Sequence, residues 1–296
     1  MSAPTDVGLG SLSEFPLPSL SGANDKEGRG RVLAIGGGAQ VPGALILTGL
    51  AALRAGAGKL QMATGASGTL ALGIAVPEGA VLAAAETADG DIAAEAAERL
   101  APAVANSDAV VIGPGMMDEG SAGALAGRLM AAAQGPAFIL DAAAMTGVDL
   151  AGAPVRGLRG RLVLTPHAGE MARLTGLDKA TVETDPISAA RTIARSSQAV
   201  VVMKGAETFI VSPDGRAWLH AGGVIGLATS GSGDVLAGVI AGLLARGASP
   251  LTASVWGVCV HAACGARLSQ MLGPVGFLAR ELLPEIPRVM ADAYAG

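Results

Sequence analysis

The chain has 296 residues, of which 51% are hydrophobic, 2% aromatic and 15% charged, and its formal net charge is −5. That length builds one large α/β domain or two smaller ones around a sizeable core, and the shortage of aromatics leaves Ala, Val, Leu and Ile to fill it. The acidic balance, with no run of Lys or Arg interleaved with aromatics, excludes a nucleic-acid surface; two cysteines and three histidines exclude a disulfide framework or a zinc site.

The mean hydropathy of +0.51 invites a membrane reading. The longest apolar runs, over 44–53 and 235–245, stop at Arg54 and Arg246, well short of the roughly 18 residues a span needs. The first residues carry acids and prolines where a secretory signal needs a basic and then an apolar region. A cytoplasmic protein with no membrane partner is expected.

In chain order, residues 1–29 read as a polar N-terminal arm and residues 30–296 as one α/β domain. Arg31–Ile35 is an apolar run ending in Gly36, Gly37 and Gly38, and 42–56 reads as an apolar helix. Strand, glycine turn and helix in that order open nucleotide-binding units. The next strand, over 59–64, brings no acidic residue to its end, which argues against a dinucleotide-binding Rossmann fold. Strands follow over 81–85 and 109–112 with a helix over 92–100 between them. Gly113-Pro-Gly115 is a sharp turn, and 121–133 a helix. Strand 138–140 delivers Asp141, strand 162–164 delivers Thr165-Pro-His167, and strand 200–203 delivers Lys204 and Gly205. Residues 209–211 and 217–219 form a hairpin about Pro213-Asp-Gly215. Helices over 251–269, 277–283 and 287–294 close the chain, the last two parted by Pro284 and Pro287. Cys259 and Cys264 read as core filler in the first of them.

Strands alternating with helices imply a parallel sheet, whose ligands bind outside the carboxyl ends of the strands. Gly113, Gly115, Asp141, His167 and Lys204 then share one rim. The loop over 226–234, Gly-Leu-Ala-Thr-Ser-Gly-Ser-Gly-Asp, reaches the same rim and runs straight into an apolar helix. Unpaired N–H groups at such a helix start hold anions, phosphate first among them, and Gly231 and Gly233 let the backbone approach closely.

Each polar residue here has two readings. Asp234 is either a general base facing a substrate hydroxyl while the loop amides steady a transferring phosphoryl group, or a helix N-cap. Lys204 holds a phosphate or is a solvated strand-end lysine, with Gly205 and Thr208 adding close approach and a hydroxyl. His167 contacts a ligand or is hydrogen-bonded at a helix start. Asp141 is a metal or water ligand or a turn cap. His220 and His261 read as structural.

Together, Thr165-Pro-His-Ala-Gly-Glu170, Met203-Lys-Gly-Ala-Glu-Thr208 and the segment Ala228-Thr-Ser-Gly-Ser-Gly-Asp-Val-Leu-Ala-Gly238 resemble the ribokinase-like superfamily, most closely its ADP/ATP-dependent NAD(P)H-hydrate dehydratases. The resemblance runs from about Arg31 to the C-terminus. It implies a ribokinase-like α/β fold, a largely parallel central sheet flanked by helices on both faces. It also implies repair of hydrated NADH or NADPH: ATP or ADP, with Mg2+, phosphorylates the ring hydroxyl, and loss of phosphate restores the cofactor. By position, Asp234 is the implied base and Gly231, Ser232 and Gly233 its anion hole. Ala44, Gly115, His167 and Asp234 are implied contacts to the hydrate. Lys204, Gly205, Ala206, Glu207, Thr208 and Gly233 are implied contacts to the adenine nucleotide; no metal ligands are assigned.

Many relatives carry a serine and a tyrosine where this chain has 37–42, a second acidic residue near Ala143, and an Asn-Pro pair where Val224 and Ile225 stand. Those departures keep two other readings open, a kinase for a small vitamin-precursor alcohol and a silent nucleotide-binding sensor. Small-residue apolar helices suggest a homo-oligomer, and a separate NAD(P)H-hydrate epimerase is the expected protein partner.

Overall fold

The computed structural model describes residues 3–19 and 25–295; residues 1–2 and 20–24 of the predicted arm lie outside the described residues. Uninterrupted apolar runs make strands covered on both faces, and such runs form the centre of a sheet whose strands among the described residues are β1 (Thr5–Asp6), β2 (Arg31–Ile35), β3 (Lys59–Gly65), β4 (Ala80–Ala84), β5 (Ala109–Ile112), β6 (Ala137–Leu140), β7 (Leu162–Leu164), β8 (Val200–Met203), β9 (Thr208–Val211) and β10 (Ala217–His220). They form one sheet in the order β1-β10-β9-β8-β7-β6-β5-β2-β3-β4. All neighbours pair in parallel except β9, which runs antiparallel to both β8 and β10.

Between and beyond the strands lie α1 (Gly43–Arg54), α2 (Thr69–Ala75), α3 (Ala96–Ala105), α4 (Glu119–Ala132), α5 (Ala142–Gly147), α6 (Ala153–Gly157), α7 (Ala168–Thr175), α8 (Lys179–Thr184), α9 (Pro186–Ser197), α10 (Ser232–Ala245), α11 (Pro250–Leu272) and α12 (Ala279–Ala295). Side chains alternate across each strand. Val32, Ala34, Val111, Ile139 and Val163 therefore join a core with α1, α10, α11 and α12. Leu33, Ile35, Val110, Ile112 and Phe138 join the opposite core with α3, α4 and α9. The sheet is thus largely parallel with helices on both faces.

Two predicted elements move. The helix expected from residue 92 begins at Ala96, because Ile92 first forms an antiparallel bridge with Glu86. The two closing helices are one, α12, running through Pro284 and Pro287. Leu282, Ile286, Val289 and Met290 recur at helical spacing and are buried, so packing outweighs the lost hydrogen bonds at the prolines.

The described part of the arm is strapped to the body. Strand β1 extends the sheet beside β10, Leu12 is buried, and Trp256 Nε1 donates to the Phe15 carbonyl at 2.7 Å. Among the described residues no helix is long and apolar enough to cross a membrane.

Candidate active site

The glycine-rich loop ends in Gly231, whose φ of +88° puts it in the left-handed region just before α10. That conformation favours glycine, and a Cβ there would also have to push aside Leu47 Cδ1, which it would meet at 2.5 Å. Because α10 begins at Ser232 with Gly231 as its N-cap, Asp234 is its third residue and not the cap. The helix behind it is anchored: every residue of Val235–Ala245 is buried. Gly238 and Gly242 let α10 sit against α1, where a Cβ would come within 2.2 Å of Thr48 O and 2.4 Å of Ala52 O.

Strands β6, β7 and β8 bring the partners of Asp234. Lys204 Nζ lies 3.1 Å from Asp141 Oδ1 and 3.8 Å from Glu170 Oε2. Asp141 is buried, and its Oδ1 also accepts from Thr165 Oγ1 at 2.7 Å. It stands at the N-cap position of α5 but makes no side-chain cap bond, so the turn-cap reading falls. Burial pushes the Asp234 carboxyl up to about 7, the negative charge of Asp141 adds to the rise, and the Lys204 ammonium only partly offsets it. Lys204 shows the opposite balance. Burial alone would pull its ammonium down, yet Asp141, Glu170 and Asp234 together hold it above the ordinary lysine value.

His167 is the N-cap of α7. Its Nδ1 accepts from the N–H groups of Gly169 (3.0 Å) and Glu170 (3.3 Å), while Glu170 Oε2 accepts from His167 N at 2.8 Å. This reciprocal box fixes the neutral ring's proton on Nε2.

These side chains line a cavity of about 810 Å3. One part is polar, made by Asp141, His167, Lys204, Ser232, Gly233 and Asp234; the rest is more apolar, with Val224, Ile225, Leu227, Val258 and Ala262. Gly205, Ala206, Thr208 and Gly231 also face it, whereas Glu207, Ala44 and Gly115 are not in its lining. Ala44 and Gly115 sit together at the junction of β2 and β5, where the strand order reverses and open α/β sheets characteristically bind ligands. There the two glycine turns are zipped: Gly37 N donates to Pro114 O at 2.8 Å and Gly38 N to Gly115 O at 3.0 Å. The junction is joined to the cavity through Thr48, whose Oγ1 reaches Ala44 O at 3.1 Å and Asp234 O at 3.2 Å.

Two residues escaped sequence reasoning. Asp91 is buried beside the zipped turns, and its Oδ2 accepts from Met117 N at 2.9 Å and Asp118 N at 2.5 Å. His261 faces the cavity from α11, with Nε2 at 3.0 Å from Ser232 Oγ. Nothing in an evenly apolar helix marks that histidine; only the packing of α11 on α10 does. No group of three or more His, Cys, Asp or Glu able to hold a metal occurs among the described residues.

The model of the NAD(P)H-hydrate dehydratase family matches residues 32–288. The ADP-dependent (S)-NAD(P)H-hydrate dehydratase of Xanthomonas campestris pv. campestris is 49% identical over 285 residues, covering 96% of this chain and 95% of that one. The bifunctional NAD(P)H-hydrate repair enzyme Nnr of Moorella thermoacetica is 38% identical over 93% of this chain, which spans 52% of that relative. Among solved structures, the ADP/ATP-dependent NAD(P)H-hydrate dehydratase of Bacillus subtilis co-crystallised with ATP/Mg2+ superposes with a TM-score of 0.81 at 28% identity, covering 99% of each chain. The architecture is that of the ribokinase-like superfamily.

Proposed function

The chain belongs to the NAD(P)H-hydrate dehydratase family, and from that premise we infer that it returns hydrated NADH or NADPH to the reduced cofactor, consuming ADP or ATP. The observation that carries the mechanism is the Asp234 carboxyl, held at about 7 at the start of a buried helix whose first N–H groups face the same cavity. A base and an anion site stand together there, which is what phosphorylating a hydroxyl needs.

In this reading Asp234, as carboxylate, takes the proton of the ring hydroxyl as its oxygen attacks the terminal phosphorus of the nucleotide. Charge growing on the phosphoryl oxygens is met by the amides of Gly231, Ser232 and Gly233 and by the positive end of α10. The ring C–O bond then breaks, the oxygen leaves in the phosphate, and loss of a ring proton restores the reduced nicotinamide. The segment from Lys204 through Thr208, with Gly233, holds the nucleotide. Ala44, Gly115 and His167, with Asp234, hold the hydrate. The roughly 810 Å3 of the cavity and its apolar wall of Leu227, Val258 and Ala262 support an adenine nucleotide there. The Thr48 link between Ala44 and Asp234 supports a hydrate approaching from the β2–β5 junction.

Magnesium enters this reading with the nucleotide. An ion held by one or two carboxylates, water and phosphate oxygens needs no all-protein cage; besides Asp234, Asp141 lines the polar end, and Glu170 stands behind it, 3.8 Å from Lys204 Nζ. Bound there, it would neutralise phosphate charge. We place the enzyme in the cytoplasm with its nucleotide substrates. The exposed Leu70 and Ile74 of α2 support self-association, and the bifunctional relatives support an epimerase as partner.

The test is absorbance at the reduced-nicotinamide band after mixing the protein with hydrated NADH, Mg2+ and either ADP or ATP. Nucleotide-dependent recovery is expected. No recovery while nucleotide still binds would overturn the reading.

A further inference from the structure

His261 Nε2 lies 3.0 Å from Ser232 Oγ and 3.1 Å from Ser232 O. A carbonyl oxygen only accepts, so the 3.1 Å contact with Ser232 O requires an N–H on Nε2. With that hydrogen in place, Ser232 Oγ accepts from the same N–H, and the serine's own hydroxyl hydrogen points away from the ring. No described residue accepts it. Burial pushes the imidazole down to about 4, partly countered by its bond to Ser232 and reinforced by the charges of Lys204 and His220. The ring is therefore neutral near pH 7.

Ser232 is 5% exposed, and what it faces is the cavity. It stands between the left-handed Gly231 and Gly233, whose notional Cβ would lie 3.4 Å from Lys204 Nζ. The free hydroxyl hydrogen is thus confined to the region where a phosphate would be held.

We propose that His261 is a positioning residue that makes the Ser232 hydroxyl a committed hydrogen-bond donor to the phosphoryl group in transit. Ser232 then contributes a side-chain donor to the anion hole in addition to its backbone, and His261 acts only through it. The inference rests on the phosphoryl-transfer reading given above.

Four variants test it: Ser232→Ala, His261→Leu, the two combined, and His261→Gln, whose amide N–H can replace the imidazole's. The readouts are nucleotide-dependent turnover and calorimetric binding of ADP–aluminium fluoride, a mimic of the phosphoryl group in transit. Ser232→Ala and His261→Leu are each expected to lower kcat and mimic affinity roughly 10- to 100-fold, with little change in KM. The double variant should be no worse than Ser232→Ala alone, and His261→Gln should stay within about threefold of wild type. Losses that multiply in the double variant, or a His261→Leu loss with Ser232→Ala intact, would overturn the inference. A wild-type protein with no turnover would instead sink the dehydratase reading, and mimic binding would still decide the role of the hydroxyl.

Discussion

Lys204 Nζ stands 3.1 Å from Asp141 Oδ1, and the two opposite charges act in opposite senses on the Asp234 carboxyl across the same cavity. Burial does most to raise the pKa of Asp234; Asp141 adds to the rise and Lys204 opposes it, so the base is trimmed by a pair it does not itself bond. Asp141 is oriented in turn by Thr165, and the backbone N–H of Lys204 is fixed on Pro166 O at 2.7 Å. The Thr165-Pro-His167 stretch therefore positions the charges that tune Asp234.

Removing the base while keeping its shape separates chemistry from binding. Asp234→Asn is expected to lower turnover by at least roughly 1000-fold while leaving nucleotide affinity within about threefold. Steady-state assays and calorimetry read the two effects separately, and turnover within about tenfold of wild type would remove Asp234 from the role.

The working form of Asp234 is the carboxylate, and its pKa is raised to about 7. Turnover at low hydrate concentration should therefore climb with pH through about 7 and level off above it. Lys204→Ala deletes the charge that favours ionisation, so the residual activity of that variant should have its midpoint at higher pH. A pH–rate profile for each protein decides, and coincident midpoints would contradict the coupling.

The same shift has a sign in stability. Folding raises this carboxyl from an ordinary 3.8 to about 7, so the folded chain keeps a proton that the unfolded chain releases. The resulting stabilisation is complete below about 4 and is lost as pH rises through about 7. A three-unit shift corresponds to at most ~4 kcal/mol, less where water reaches the half-buried group. Asp234→Asn should consequently be more stable than wild type by ~1–3 kcal/mol at pH 8, with the gap closing toward pH 4, as read by urea unfolding at both values.

Gly113, at the end of β5, has a φ of +120°, and a Cβ on it would fall 1.9 Å from Asp141 O. Gly113→Ala should destabilise the fold by ~3 kcal/mol or more. It should also weaken nucleotide binding, because the displaced backbone carries the carboxylate that anchors Lys204. Thermal unfolding and calorimetry would measure both losses; an unchanged melting temperature would mean that the backbone yields there at little cost.

The strands were legible because a sheet buried on both faces demands unbroken apolar runs, and Arg31–Ile35, Ala109–Ile112, Leu162–Leu164 and Val200–Met203 are such runs. The loop before α10 was legible because small and hydroxyl residues crowd where a helix begins. What stayed hidden depends on distant segments meeting. The raised pKa of Asp234 needs burial and Asp141, 93 positions earlier in the chain. His261 acquires its contact only when α11 lies on α10, and Asp91 only when the turn after β5 folds over it. The short helices α5, α6 and α8 span two turns or fewer, too little for periodicity to register. In α12, local preference and tertiary packing disagree, and packing decides.

Helix α10 carries the anion-holding turn at one end and, over its remaining length, lies wholly inside the larger of the two cores. The turn has no hinge of its own: freeing it means extracting the helix from between α1 and α11. Local opening at the phosphate end should therefore be about as rare as global unfolding. Amide hydrogens of α10 from Val235 onward would then exchange with solvent as slowly as those of the central strands, and on warming the capacity to bind nucleotide would vanish in the same transition as the fold.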